Sequence, residues 1–290
     1  MNTKVMLREL RADDAERMLE WMHDDYVMRW LQFDGKSKTI EDARYFISNA
    51  NHDNENIHRA IITDDGVYRG TISLKSITNK EAELAVAMCR DSIGKGYGTL
   101  AIGEMLLLAF EELQLNRVFL TVKKDNTRAM RAYEKNGFTL VGMDGNQYKY
   151  QILNRKKTVM LEFVQRGDER GHLVVVEGAI DVPFSIKRVF YIYGSSADVV
   201  RGKHTNRNSE FVLVNVAGKS KIRTETANED ITIFNLDRPH TGIYIPKMVW
   251  KEMYDFSPDS VLLCLSSEHY DAKEYIRDYD EFVKVSRMHL

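Results

Sequence analysis

Long apolar runs are missing from this chain. No stretch approaches the ~18 apolar residues that a membrane-spanning helix needs, and the opening segment, Met1 to Leu10, has no apolar run of signal-peptide length. These absences predict a soluble protein of the cytoplasm. Cysteine is scarce as well: Cys89 and Cys264 are the two in the chain. They are too few for a disulfide framework and lack metal-ligand spacing, which suits a reducing compartment. Nor does charge of one sign dominate. The 41 basic and 43 acidic side chains leave a formal net charge of -2, whereas a nucleic-acid binder shows a basic excess or stripe. Neither nucleic acid nor a membrane is expected as a partner. Repeats and low-complexity segments are absent.

What remains is ample globular material. The 290 residues are 43% hydrophobic, a length and composition that suit two cores rather than one. Residues 1–165 alternate strand-like and helix-like patterns. Val5 to Leu10, Ile57 to Thr63, Tyr68 to Ile77, Ala82 to Cys89 and Arg117 to Lys123 read as strands. Ala12 to Met22, Glu41 to Asn49, Thr99 to about Leu113 and Thr127 to Asn136 read as helices. This predicts an α/β (α+β) domain with a mixed sheet. The charged, glycine-flanked run Arg166 to Gly171 reads as a linker. Residues 172–290 are then dominated by short strands separated by turns, the pattern of an antiparallel sandwich or barrel. A helical tail over Glu274 to Val285 follows.

Chemistry concentrates in two places in the first half. Ile93-Gly94-Lys95-Gly96-Tyr97-Gly98-Thr99 lies between a strand and a helix. Its alternate glycines let the backbone bend around a ligand, and the helix N-terminus behind them offers unpaired N–H groups to a pyrophosphate. Downstream stands Asn126-Thr127-Arg128-Ala129-Met130-Arg131-Ala132-Tyr133-Glu134-Lys135-Asn136-Gly137-Phe138. Together these segments resemble the GNAT N-acetyltransferases, and the opening Leu7-Arg8-Glu9-Leu10 with Asp13-Asp14-Ala15 resembles their ribosomal-protein and amino-sugar subgroup. The resemblance implies acetyl-CoA as cosubstrate, held by residues 93–99 and Asn126. It departs from the family pattern at Ile93, where Gln or Arg is usual. Tyr133 matches the general acid that meets the leaving thiolate. Asn126 also suits a helix cap. Glu83, on the strand leading into the glycine loop, is the candidate base for the incoming amine, with a solvent-facing strand carboxylate as its ordinary alternative.

In the second half, Arg201-Gly202-Lys203-His204-Thr205-Asn206-Arg207-Asn208-Ser209-Glu210-Phe211, then Gly242 to Ser257, then Tyr275 to Phe282 resemble the cupin-fold dTDP-sugar 3,4-ketoisomerases. An all-β cupin, or jelly-roll, barrel is therefore expected. A metal cupin would need an imidazole where Asn206 stands and a neutral ligand where Lys251 stands, so no metal is expected. The resemblance makes His204 the first motif histidine and Arg201 a diphosphate ligand. Tyr244 and Trp250 are candidates for lining the sugar pocket, although core packing explains them equally well. At the position of the principal base stands Asn206, which takes no proton at neutral pH.

Two readings follow. In the first, the chain is a bifunctional enzyme of dTDP-deoxy-amino-sugar biosynthesis, acetylating an amino sugar and isomerising a keto sugar with His204 as base. In the second, the barrel only binds the sugar nucleotide. Acetylation of a protein or an antibiotic is a weaker alternative. A homodimer through residues 172–290 is expected by resemblance.

Overall fold

The structure, a computed structural model, describes residues 4–287 apart from Gln32, Asn79 and Glu229. The outermost residues of the two expected domains, 1–3 and 288–290, lie outside the described residues. The chain divides into two compact units, Met1–Asn154 and Arg155–Leu290.

The N-terminal unit contains β1 (Val5–Arg8), α1 (Ala15–His23), α2 (Asp25–Met28), α3 (Ile40–Ala50), β2 (Ile57–Thr63), β3 (Tyr68–Thr78) and β4 (Glu81–Met88). It continues through α4 (Tyr97–Leu107), β5 (Arg117–Lys123), α5 (Thr127–Lys135), β6 (Thr139–Asp144) and β7 (Gln147–Leu153). Its seven-stranded sheet runs β1-β2-β3-β4-β5-β7-β6 and is antiparallel except for β4 and β5. Alternation along the strands serves both faces. Ile72, Leu74, Ala82, Leu84, Val118 and Leu120 pack with Ile102 and Met105 of α4 and Tyr133 of α5. On the other face, Ala60 and Tyr68 join Met18, Trp21 and Ile47 of α1 and α3. α3 begins at a reciprocal cap, in which Asp42 N donates to Thr39 Oγ1 at 3.2 Å and Thr39 N to the Asp42 carboxylate at 2.8 Å.

The C-terminal unit begins with β8 (Val159–Glu162), β9 (Gln165–Asp168), β10 (Gly171–Val174), β11 (Arg188–Tyr193), β12 (Arg201–Asn206) and β13 (Phe211–Ala217). It continues with β14 (Ser220–Glu225), β15 (Ile231–Leu236), β16 (Thr241–Ile245), β17 (Trp250–Tyr254), β18 (Val261–Ser266), β19 (Tyr275–Ile276) and α6 (Tyr279–Arg287). Two five-stranded sheets, β11-β18-β13-β16-β8 and β15-β14-β17-β12-β19, form a sandwich. Between them lie Phe211, Leu213, Ile243, Ile245, Leu262 and Cys264 from the first sheet and Ile222 and Met253 from the second.

Several expectations need correction. The domain boundary falls after Asn154 rather than at residue 165, because β8 pairs with β16 (Val159 opposite Tyr244, Glu162 opposite Thr241) and so belongs to the sandwich. Arg166 to Gly171 is no linker: β9 and β10 form a hairpin there. The helix expected from Ala12 starts as a 3-10 turn over Ala12–Asp14, and the one expected to reach Leu113 passes at Leu107 into a π turn over Leu108–Glu112. The tail is helical only from Tyr279, because Tyr275 and Ile276 pair with Asn206 and Thr205. β12 and β17 carry no clear period-2 signal, because Gly202, His204 and Asn206 of β12 and Lys251 of β17 put non-apolar residues at inward positions.

Ile72 is 0% exposed beneath α4. Ile72→Ala removes buried methylenes and leaves a cavity, so it should cost about 2–5 kcal/mol. A urea denaturation midpoint unchanged from that of the natural protein would contradict this packing.

Candidate active sites

β4 and β5 pair over three positions only, Glu81 with Arg117, Ala82 with Val118 and Glu83 with Phe119. Arg117 clamps this short ladder, its Nε donating to the Glu81 carboxylate at 2.9 Å. Beyond it the two parallel strands part, and each leads into a helix at its C-terminal end. Ligands of open α/β sheets bind in such a crevice. After β4, Gly94 and Gly96 each adopt φ +83, a conformation costly for any side chain. Gly96 is the N-cap of α4, and no side chain caps that end. A Cβ on either glycine would meet nothing within 4 Å, so the backbone lies open to a ligand. Lys95 is exposed beside them, Gly98, Tyr97 and Thr99 are half-buried in the first turn, and Ile93 packs toward the α1/α3 core.

After β5, Asn126 caps α5, its Oδ1 accepting from Ala129 N at 3.3 Å. Tyr133 lies on the sheet-facing side of α5, packed against Phe138 and Tyr150 at ring separations of 5.8 and 6.4 Å. Burial alone pushes its phenol up to about 12, so it stays protonated at neutral pH. Glu83 alternates with Ala82 and Leu84, which enter the α4/α5 core, and therefore lies on the opposite face of the sheet from Tyr133. Sequence reading missed a basic rim at this end of the sheet. Arg29, Arg90 and Arg128 approach the Tyr26 ring at 4.2, 3.6 and 5.5 Å, and Arg128 also donates to Tyr26 Oη at 2.9 Å. The three come from separate elements, so no local motif announces them.

In the C-terminal unit, Gly202 has φ +87 at a bulge in β12, and a Cβ there would meet Lys251 O at 2.6 Å. The glycine lets β12 close on β17 and sets His204 opposite Lys251. His204 Nδ1 meets Gly202 O at 3.0 Å, and the ring lies 4.9 Å from Tyr275. Since a carbonyl only accepts, Nδ1 carries the proton and Nε2 is left as the acceptor. Burial, with Lys251 nearby, lowers the imidazole to about 4. Lys251 is itself buried, and its Nζ donates to Asn206 Oδ1 at 2.6 Å. Burial lowers its ammonium to about 7. Sequence reading had weighed Lys251 only as a poor metal ligand; its burial depends on the sandwich. Asn206 Nδ2 and Arg188 Nε are buried donors without a hydrogen-bond partner among the described residues. Such orphaned groups are rare in folded proteins, and an ordered water or a polar ligand completes them.

The remaining candidates stand apart. Arg201 is exposed and donates to Ser195 Oγ at 2.8 Å. Tyr244 points away from the sandwich interior that takes Ile243 and Ile245, and donates to Glu210 at 2.7 Å. Trp250 packs outside β17 against Tyr279 and Phe282, at 5.3 and 5.5 Å, and so anchors α6. Neither aromatic lines the sandwich interior, and Trp250 follows the core-packing alternative. The residues do not fit a metal ion. Glu210, the carboxylate such a site would use, is bound to Arg155 and Tyr244, and an amine occupies the last ligand position.

Comparison with known proteins matches each unit separately. The acetyltransferase (GNAT) domain family matches residues 4–139, and the family described as FdtA, WxcM-like, C-terminal matches residues 155–287. TDP-4-oxo-6-deoxy-alpha-D-glucose-3,4-oxoisomerase of Aneurinibacillus thermoaerophilus is 40% identical over 136 residues, covering 46% of this chain and 90% of that protein. Acetyltransferase PseH of Campylobacter jejuni is 26% identical over 142 residues, covering 48% and 86% respectively. The sugar 3,4-ketoisomerase QdtA of Thermoanaerobacterium thermosaccharolyticum, solved with TDP, is 39% identical, covering 46% of this chain and 96% of that one, with a TM-score of 0.45. The chain therefore joins two families in one polypeptide, the GNAT acetyltransferases over residues 4–139 and the WxcM-like FdtA family over residues 155–287.

Proposed function

We propose that the N-terminal unit transfers acetyl from acetyl-CoA to the amino group of a dTDP-linked amino-6-deoxy sugar, and that the C-terminal unit binds and isomerises a dTDP-4-keto-6-deoxy sugar. The observation that carries this reading is the fusion itself. A parted pair of parallel strands with an uncapped helix shares a chain with a unit 40% identical to a sugar-nucleotide oxoisomerase. CoA pyrophosphate would lie on residues 93–99, with pantetheine running between β4 and β5 past Asn126. The acceptor amine attacks the thioester carbonyl as Glu83 takes its proton, directly or through water. Tyr133 hydrogen-bonds the departing sulfur, and its protonated phenol is suited to that task.

A second reading, in which the C-terminal unit binds without turnover, is favoured by Asn206 and by the weak basicity of His204. Under either reading the substrates are soluble cytoplasmic intermediates, and the product is a building block of O-antigen or another surface polysaccharide. A homodimer is also proposed, because the edge strand β11 leaves Val189, Tyr191 and Tyr193 exposed at 56%, 62% and 69% along one face.

Tyr133→Phe should leave CoA affinity unchanged and lower kcat on the order of 100-fold. An unaltered single-turnover rate would remove Tyr133 from the chemistry. Added dTDP should raise the melting temperature, by about 2.7 kcal/mol of linkage at one hundred times Kd, while GDP should not. Failure of dTDP to bind would end the sugar-nucleotide reading for the C-terminal unit. Light scattering should give twice the chain mass, and a monomer at micromolar concentration would dispose of the dimer.

A further inference from the structure

Proton transfer at a keto sugar needs a base, and few groups in the C-terminal interior can serve. Glu274 is spent on Asn208 N and Ser209 N, at 2.7 and 2.6 Å, and on the Ser209 hydroxyl. Cys264 is buried, and its thiol is pushed up to about 12. Arg188 and Arg277 are cations that do not release a proton. His204 is neutral, yet burial and its cationic neighbours Lys251 and Arg277 leave it a weak base. Asn206 has no basic lone pair. The remaining group is the Lys251 amine. It enters from β17 and is held at 2.6 Å by Asn206 Oδ1, with its Nζ 4.6 Å from the Phe211 ring centre. Cys264, Glu274 and Arg188 face it electrostatically from the neighbouring elements. The orphaned donors Asn206 Nδ2 and Arg188 Nε belong to this same cluster.

The geometry points to Lys251 as the proton-transfer base of the C-terminal unit, with Asn206 as its positioning residue and a nucleotide-linked 4-keto sugar as the substrate. This inference rests on the sugar-nucleotide reading above. The neutral amine removes the C3 proton, and the C3–H electron pair becomes the C3=C4 double bond. The carbonyl pair moves onto O4, which takes up a proton. The resulting enediol then collapses the other way: the ammonium returns its proton to C4, O3 releases its proton, and C3=O forms. Protons and electrons balance without an oxidant or a cofactor. Asn206 Nδ2 and Arg188 Nε would find their missing acceptors in the sugar oxygens. An amine whose two forms are near balance at neutral pH matches the basicity such a base requires. Asn206, which removes an imidazole from the motif, also supplies the carbonyl oxygen that holds the amine in place.

The test is the entry of solvent deuterium into dTDP-4-keto-6-deoxyglucose, followed by NMR with the full-length chain. The natural protein should catalyse exchange, with a rate that climbs about tenfold per pH unit below pH 7 and flattens above it, following the neutral amine. Lys251→Met should lower exchange at least about 100-fold while dTDP still raises the melting temperature. Lys251→Arg, which keeps the cation but cannot lose its proton, should be equally inactive and guards against misfolding of the first variant. Exchange that persists in either variant, a rate that is flat across pH 7, or dTDP binding by the natural protein without exchange would each overturn the role of Lys251. If dTDP fails to bind the natural protein, the sugar-nucleotide reading falls, and this inference falls with it.

Discussion

The N-terminal unit depends on a pairing that stops early. Parallel strands β4 and β5 are joined at Glu81–Glu83 and nowhere further along. Continued pairing would satisfy the backbone but close the crevice; a shorter ladder would leave the sheet without a centre. The Arg117–Glu81 ion pair lies at one end of this ladder. At the other end the strands part and deliver α4 and α5, with the glycine loop and Asn126 at their N-termini. Because successive side chains alternate across a sheet, the same parting puts Tyr133 and Glu83 on opposite faces. The crevice between the parted strands is thereby flanked by a phenol on one face of the sheet and a carboxylate on the other.

In the C-terminal unit the constraint is a polar cluster inside an apolar sandwich. The Phe211 ring, part of the apolar core, lies 4.6 Å from the Lys251 Nζ. A lone buried ammonium is costly, and Lys251 meets that cost with a hydrogen bond to Asn206 and with a lowered affinity for its proton. His204 loses basicity in the same field. The two groups are thus coupled. Asn206 on β12 and Lys251 on β17 form one buried hydrogen-bonded pair beside His204.

Much of the plan was legible in the chain. The glycine-rich turn, the Asn126 cap and the amphipathic α5 are local signals, because each arises from backbone freedom or from contacts within one turn. The alternating strands from Ile57 to Leu84 and the shift to short strands after residue 172 were equally visible, since period-2 patterning is written along the chain itself. The same holds for the two motifs that resemble their families, whose matches now cover residues 4–139 and 155–287.

Sequence alone determined the number of folded units and their classes. Tertiary structure decided the rest. It drew the boundary at Asn154, because β8 finds its partner in β16, more than seventy positions downstream. It turned Tyr244 and Trp250 away from the interior, because strand parity is set by pairing register and not by residue type. It gathered Arg29, Arg90 and Arg128 around Tyr26 from three separate elements. It also made Lys251 more than an ordinary surface cation. Burial and a hydrogen-bond partner on another strand govern how tightly an amine holds its proton, and both exist only once the sheets have closed.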